Sequence, residues 1–260
     1  MVTLIRTVYS SFRMAMLLWF ADPQWVIPNI IAPFIFTIAA LILSRTVSGS
    51  YTWYAILGGA MMGMWGNTLY ASGFAIEAER WWGTIEYTFA TPSSLLHIIG
   101  GRSISNALMG LTNMLAILAI ALIGFQTPLA VANFPGFILA LVITILSVSA
   151  LGLIFASAFV LTRQASVLTN GLELPLYIVS GSMFPIALLP FWTHPVALSL
   201  APTWGIEAMR YASSQVQLGL TFWSDLGVMT LMSVAYVFIA TILFRKVETR
   251  ARMQGTMALV

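Results

Sequence analysis

An all-α polytopic membrane protein is the fold class this chain predicts, and three observations predict it. Sixty per cent hydrophobic residues and only 7% charged ones make up its 260 positions, against about 25% charged in an ordinary soluble domain. Charge-free stretches recur, the longest running from Arg102 to Arg163. The few charges cluster: Glu77, Glu79 and Glu86, three of the eight acids, lie within one ten-residue stretch. A surface this poor in charge requires lipid as its solvent.

The net charge of +3 therefore says little about nucleic acid, because basic residues in membrane proteins mostly encode topology. No nucleic-acid partner is expected; the lipid bilayer is. The chain has no cysteine and two distant histidines, His97 and His194. That excludes disulfides, thiolate sites and cysteine nucleophiles, and argues against a histidine metal site. No metal ligand set and no catalytic residue is expected.

Gaps between charges locate the spans. Val26–Leu43 and Tyr51–Ile76 are each long enough to cross a bilayer as a helix. The long gap after Arg102 divides at Gln126-Thr127-Pro128 and Asn133-Phe134-Pro135-Gly136, where turn formers collect. It supplies Ser103–Phe125 and Phe137–Leu161. Ala165–Met183 and Leu226–Phe244 complete six expected transmembrane helices in a single domain, 1–260. With both termini cytoplasmic, nine basic residues fall inside and only Arg45 and Arg210 outside, a clear positive-inside bias. An even number of spans also puts the termini on one side. The expected location is a cell membrane, prokaryotic in type.

Residues 1–21 are a different element. At about 100° per residue, Leu4, Ile5, Val8, Phe12, Ala15, Met16 and Trp19 share one face and Thr3, Arg6, Ser10 and Arg13 the other. The pattern predicts an amphipathic helix in the cytoplasmic interface, apolar face toward lipid. A cleaved signal is not expected, since Asp22-Pro23 follows the short apolar run with no small-residue cleavage pair. The segment 185–222 is apolar yet broken by Pro185, Pro190, Pro195 and Pro202, which predicts short extracellular re-entrant helices between spans five and six. Within it Glu207 and Arg210 are spaced to pair on one helical face.

The polar segment 77–102 carries the strongest functional signal. Glu79, Arg80 and Glu86 supply charge for a partner's surface, and Trp81 and Trp82 suit the headgroup level. Gly83 permits close backbone approach or a bend, and Thr91-Pro92 ends a helical stretch. Glu79-Arg80-x-x-Gly83-Thr84-Ile85-Glu86, followed by Ala90-Thr91-Pro92 and Gly101-Arg102, resembles the loop after the second span of ABC-2 type transporter permeases. Ser180-Gly181-x-x-Phe184-Pro185, then Leu189-Pro190, Pro202 and Glu207-x-x-Arg210, is similar to that family's fifth-span exit and extracellular region.

The resemblance implies the membrane subunit of an ATP-driven exporter. Two permease subunits, identical or paralogous, would assemble with two copies of an ABC ATPase subunit. It implies a cytoplasmic coupling helix at Glu79, Arg80, Gly83, Thr84 and Glu86, and an extracellular gate region at Gly181, Phe184, Pro185 and Pro190. The chain contains no GxxxxGK[ST] phosphate loop and a single lysine, Lys246, so ATP and Mg belong on the partner. Glu173, an acid inside an expected span, is with Asn67 and Asn113 the candidate translocation path. A protonated or hydrogen-bonded Glu173 fixing helix packing beside Pro175 is the other reading of that acid, and Asn67, Asn106 and Asn113 suit bridging between helices better than a path. Glu173 would also be the proton site of an ion-coupled secondary transporter, the alternative reading. An intramembrane serine protease is disfavoured, because Ile178 stands where Gly-x-Ser-Gly before Gly181 needs its first glycine. Scarce charge along the spans favours hydrophobic or amphipathic cargo: a drug, a lipid or a lipid-linked glycan.

Overall fold

The computed structural model describes residues 2–21, 31, 34–42, 51–81, 83, 94–126, 130–160, 162 and 165–254. Every regular element among them is helical. We label them α1 (Val2–Ala21), α2 (Tyr51–Trp81), α3 (Leu95–Ala119), α4 (Phe134–Val160), α5 (Ala165–Val179), α6 (His194–Leu198), α7 (Ala201–Ser214) and α8 (Leu220–Gln254). A π-helical turn, Ile120–Gly124, prolongs α3, and residues 34–42 form a further helical run.

The expectation of six membrane spans is corrected by this structure. Among the described residues three helical stretches are long and apolar enough to cross a membrane: Leu95–Gly124, Phe134–Phe159 and Leu220–Lys246. Helix α2 has the length, at 31 residues, but its glycines, Asn67, tryptophans and tyrosines dilute its hydropathy because it packs against protein. Helix α5 has only 15 residues and ends in a turn before Met183. Most of Val26–Leu43 lies outside the described residues.

Helix α2 is the inner element. It packs against α3, α4, α5 and α7, and small residues set those approaches, as in membrane helix pairs generally. A Cβ on Gly63 would fall 2.4 Å from Nδ2 of Asn113, and one on Gly110 only 2.6 Å from Cα of Met64. Gly152 of α4 faces Thr68 of α2 and Ser103 of α3 at one junction. Hydroxyls stitch that junction: Ser103 Oγ donates to Ser149 O at 2.8 Å and Ser72 Oγ to Gly152 O at 3.2 Å. The run at 34–42 lies on α2 as well, Leu41 clustering with Ala55 and Ile56.

The N-terminus of α4 shows how local sequence aims a helix. The Asn133 side chain accepts from the Gly136 amide at 2.8 Å, an N-cap bond, and its Nδ2 donates to Val216 O at 2.8 Å. One asparagine thus starts α4 and fastens it to the chain leaving α7.

Helix α1 forms as expected but presents a different face. Ile5, Tyr9, Leu17 and Phe20 are exposed, whereas Val8, Phe12, Ala15 and Met16 are only partly so. The latter stripe lies toward α3, on which α1 packs. Gly101 permits this: a Cβ there would meet Val8 O at 2.3 Å and the Phe12 amide nitrogen at 3.0 Å. Hydrophobic periodicity finds the stripe; it does not distinguish protein from lipid as its partner.

Candidate functional site

Two polar regions occupy opposite ends of the bundle. At one end, Leu95 and Ile99 of α3 cluster with Phe159 of α4 and Phe244 of α8. Arg102, Arg245 and Lys246 therefore lie toward the same end, and the antiparallel α2–α3 pairing brings the C-terminus of α2, with Arg80, there too. At the other end Phe137, Met209 and Phe222 cluster, with Trp53 packed against them.

At the basic end, α2 continues helically through Glu77, Glu79 and Arg80 to Trp81. Gly83 follows with φ +66, exposed, with open space where a Cβ would stand. That is the left-handed conformation glycine supplies just past a helix end, so the expected bend is present. Thr84 and Glu86 lie outside the described residues, as does any separate helix between 84 and 93. Ser94, in extended conformation, precedes α3. The segment expected at 77–102 is thus flanked by the two most intimately paired helices, and α1 crosses α3 beside Arg102.

At the other end, α5 stops at a turn built on Gly181, whose φ is +76. The turn rests on α2: a Cβ on Gly58 would lie 2.1 Å from Ser182 O. Tyr54, one helical turn before Gly58, donates its hydroxyl to Gly181 O at 2.8 Å. Arg210 of α7 donates from Nη2 to the same carbonyl at 3.1 Å, and its guanidinium carbon lies 3.5 Å from the Tyr54 ring centre. Its Nη1 meets Glu207 Oε1 at 2.6 Å, the pairing expected from their spacing.

Magnitudes rank these contacts. A hydrogen bond from a charged donor contributes about 1.5–3 kcal/mol and a desolvated cation–π contact about 2 kcal/mol. An exposed ion pair contributes about 0–1 kcal/mol. The Arg210 side chain is 14% exposed and that of Glu207 46%, so the inward contacts of Arg210 outweigh its ion pair.

Pro185 and Pro190 each precede a short 3-10 turn, Ile186–Leu188 and Phe191–Thr193, their fixed φ suiting those starts. Phe184 is 47% exposed, while Phe191 and Trp192 are exposed beside it. Tyr236 of α8 braces the following junction: it donates to Ser199 O and accepts from the Ala201 amide at 3.1 Å.

The candidate path residues lie on three helices: Asn67 on α2, Asn113 on α3 and Glu173 on α5. Glu173 accepts from the Tyr177 hydroxyl at 2.5 Å, one turn along α5, and Tyr177 is buried in the cluster containing Met61, Met64 and Trp65. Asn67 and Asn113 are buried in the packing of α2 and α3. Asn67 Nδ2 and Oδ1, Trp65 Nε1, Thr68 Oγ1, Ser105 Oγ and Ser147 Oγ are all buried without a partner among the described residues. Sequence reasoning missed Tyr54 and the docking role of Gly101. The i, i+4 spacing of Tyr54 and Gly58 was an available signal, but nothing in it names the distant Gly181. Among the described residues no three His, Asp or Glu side chains group as a metal site.

These features define a helical, polytopic membrane protein whose polar chemistry sits at the two ends of a glycine-packed bundle. The model of the ABC-2 type transporter family matches residues 6–213, and the chain belongs to that family. No curated protein matches it. It is an ABC-2 type permease, a transmembrane transport protein and not an enzyme.

Proposed function

We infer that this permease is the membrane subunit of an ATP-driven exporter. It moves a hydrophobic or amphipathic cargo (drug, lipid or lipid-linked glycan) outward by alternating access. Two copies of a separate ABC ATPase hold ATP and Mg, and a second permease, identical or paralogous, completes the complex. The observation carrying this reading is that Glu79 and Arg80 stand in the last turn of the buried helix α2, with Gly83 just beyond it. A force applied there reaches the middle of the bundle. The collection of Arg102, Arg245 and Lys246 toward that end supports its cytoplasmic placement, together with both termini. The opposite end, with Gly181, Phe184, Pro185 and Pro190, is then the outer gate region.

In the experiment that tests this, Glu79→Lys and Glu86→Lys variants are inserted normally and assayed with the co-purified ATPase in vesicles. The expected result is ATP hydrolysis without cargo transport. Unimpaired transport by both variants would sink the docking role. Transport driven by a proton gradient without any ATPase would instead favour the ion-coupled alternative through Glu173. The hydrogen bond from Tyr177 gives that carboxylate a structural use.

A further inference from the structure

A cleft of about 670 Å³ opens between α3, α4 and α8 and reaches the basic end of the bundle at Gly100 and Thr241. Its walls are helical stripes. On α8 the lining residues recur as Thr230, Ser233, Val237 and Thr241, and on α4 Leu146 and Ala150 face them. The hydroxyls in these walls are already used. Thr230, Ser233 and Thr241 each donate to a carbonyl one turn back in α8, all at 2.7 Å. The walls therefore offer hydrocarbon and no free donor, and they suit an apolar chain.

Length and charge select the occupant. From Thr230 to Thr241 the stripe covers about 16 Å at 1.5 Å per residue. One leaflet of bilayer hydrocarbon is about 15 Å thick, half of the core. The same stripe continues one turn beyond Thr241 to Arg245, which is exposed, as is Lys246 next to it in sequence. Helical side chains lean toward the N-terminus, so a long side chain at 245 leans back over the mouth of the cleft. An apolar channel one leaflet long, ending at two exposed cations, is complementary to an anionic phospholipid.

We propose that the cleft between α3, α4 and α8 is a binding site for an anionic phospholipid. One acyl chain lies along the α8 stripe, and the phosphate is held at Arg245 and Lys246. This resident lipid is distinct from the cargo, and the site does not depend on how the coupling segment works. Gly100 is the natural plug position. It lines the cleft, and a Cβ there meets open space, so a larger side chain enters the cleft without disturbing the packing.

Native mass spectrometry of the full chain, purified in mild detergent with its co-purifying partners, tests this with phosphatidylglycerol and phosphatidylcholine as probes. The wild-type protein is expected to retain phosphatidylglycerol over phosphatidylcholine by about thirtyfold, the order two basic residues near an anionic headgroup supply. The double variant Arg245→Gln/Lys246→Gln is expected to lose that preference. Gly100→Leu is expected to lower retention of both lipids at an unchanged melting temperature. Excess inorganic phosphate should displace neither lipid. Equal retention of the two lipids by the wild-type protein, or undiminished retention by Gly100→Leu, overturns the proposal. Glu79→Lys serves as the control: it should keep the lipid even where transport is lost, so the two readings fail separately.

Discussion

The guanidinium of Arg210 lies 3.5 Å from the centre of the Tyr54 ring, and both side chains donate to one acceptor, the carbonyl of Gly181. Three separated parts of the chain meet there: the first turn of α2, the turn after α5, and α7. Arg210→Lys keeps the charge but loses the planar fork and its stacking, so a loss of about 2 kcal/mol is expected. Glu207→Gln should cost under about 1 kcal/mol, since its partner is held from the other side. Thermal unfolding of both variants in the same detergent checks this; equal losses would show that the ion pair dominates instead.

Gly58 and Gly227 are both helical glycines with opposite surroundings. A Cβ on Gly58 runs into the backbone oxygen of Ser182, while one on Gly227 meets open space. Gly58→Ala is therefore expected to destabilise by about 1–3 kcal/mol through overpacking. Gly227→Ala should stabilise by about 0.5–1 kcal/mol through helix propensity. Opposite signs in a melting experiment are the expected outcome, and equal signs would refute the close approach of α2 to the Gly181 turn.

The contact of Gly101 with Val8 and Phe12 makes α1 detachable. Gly101→Leu cannot be accommodated at the present separation of α1 and α3, so α1 is expected to lift from the bundle. Limited trypsin digestion at Arg6 and Arg13, both already exposed, should accelerate severalfold while the cleavage pattern of the remaining chain is kept. Unchanged digestion would mean that α1 is held elsewhere.

Asn67 buries an amide with neither atom partnered among the described residues. Leaving such a group buried costs about 1–3 kcal/mol, so Asn67→Leu, which keeps the branching but not the polar atoms, is expected to raise the melting temperature by a few degrees. Lower transport in the same variant would then mark a functional polar group retained against stability. A lower melting temperature would show that the amide has a stabilising partner.

Much of the helical framework is legible in the amino-acid pattern, and the misses share a cause. Phe137–Leu161 is almost the observed α4, because Asn133-Phe134-Pro135-Gly136 announces its start. The Glu207–Arg210 pair and the Gly83 bend follow from spacing and from glycine's conformational freedom. Boundaries taken from charge fail: α3 begins at Leu95 and passes through Arg102, and α8 continues past Arg245. A charge marks where lipid ends, and a helix need not end there. The count of six spans fails for a related reason, because Tyr51–Ile76 has the length of a span and the composition of a protein-packed core helix. The side of α1 that faces α3, and the remote acceptor shared by Tyr54 and Arg210, depend on tertiary neighbours that no local periodicity encodes.

The single helix α2 touches both polar regions. It holds Tyr54 and Gly58 at one end and runs to Trp81 at the other with no proline between, a reach of about 40 Å from Tyr54 at 1.5 Å per residue. Glycine contacts along it leave no room for side chains to give way. Under the proposed coupling it would serve as a push-rod, carrying a shift along its axis at Trp81 to the carbonyl of Gly181, which Tyr54 contacts directly. A tilt is resisted by α3 and α4. The protein's two ends are in effect two ends of one lever, and the glycines that look like gaps in the sequence are what keep it stiff.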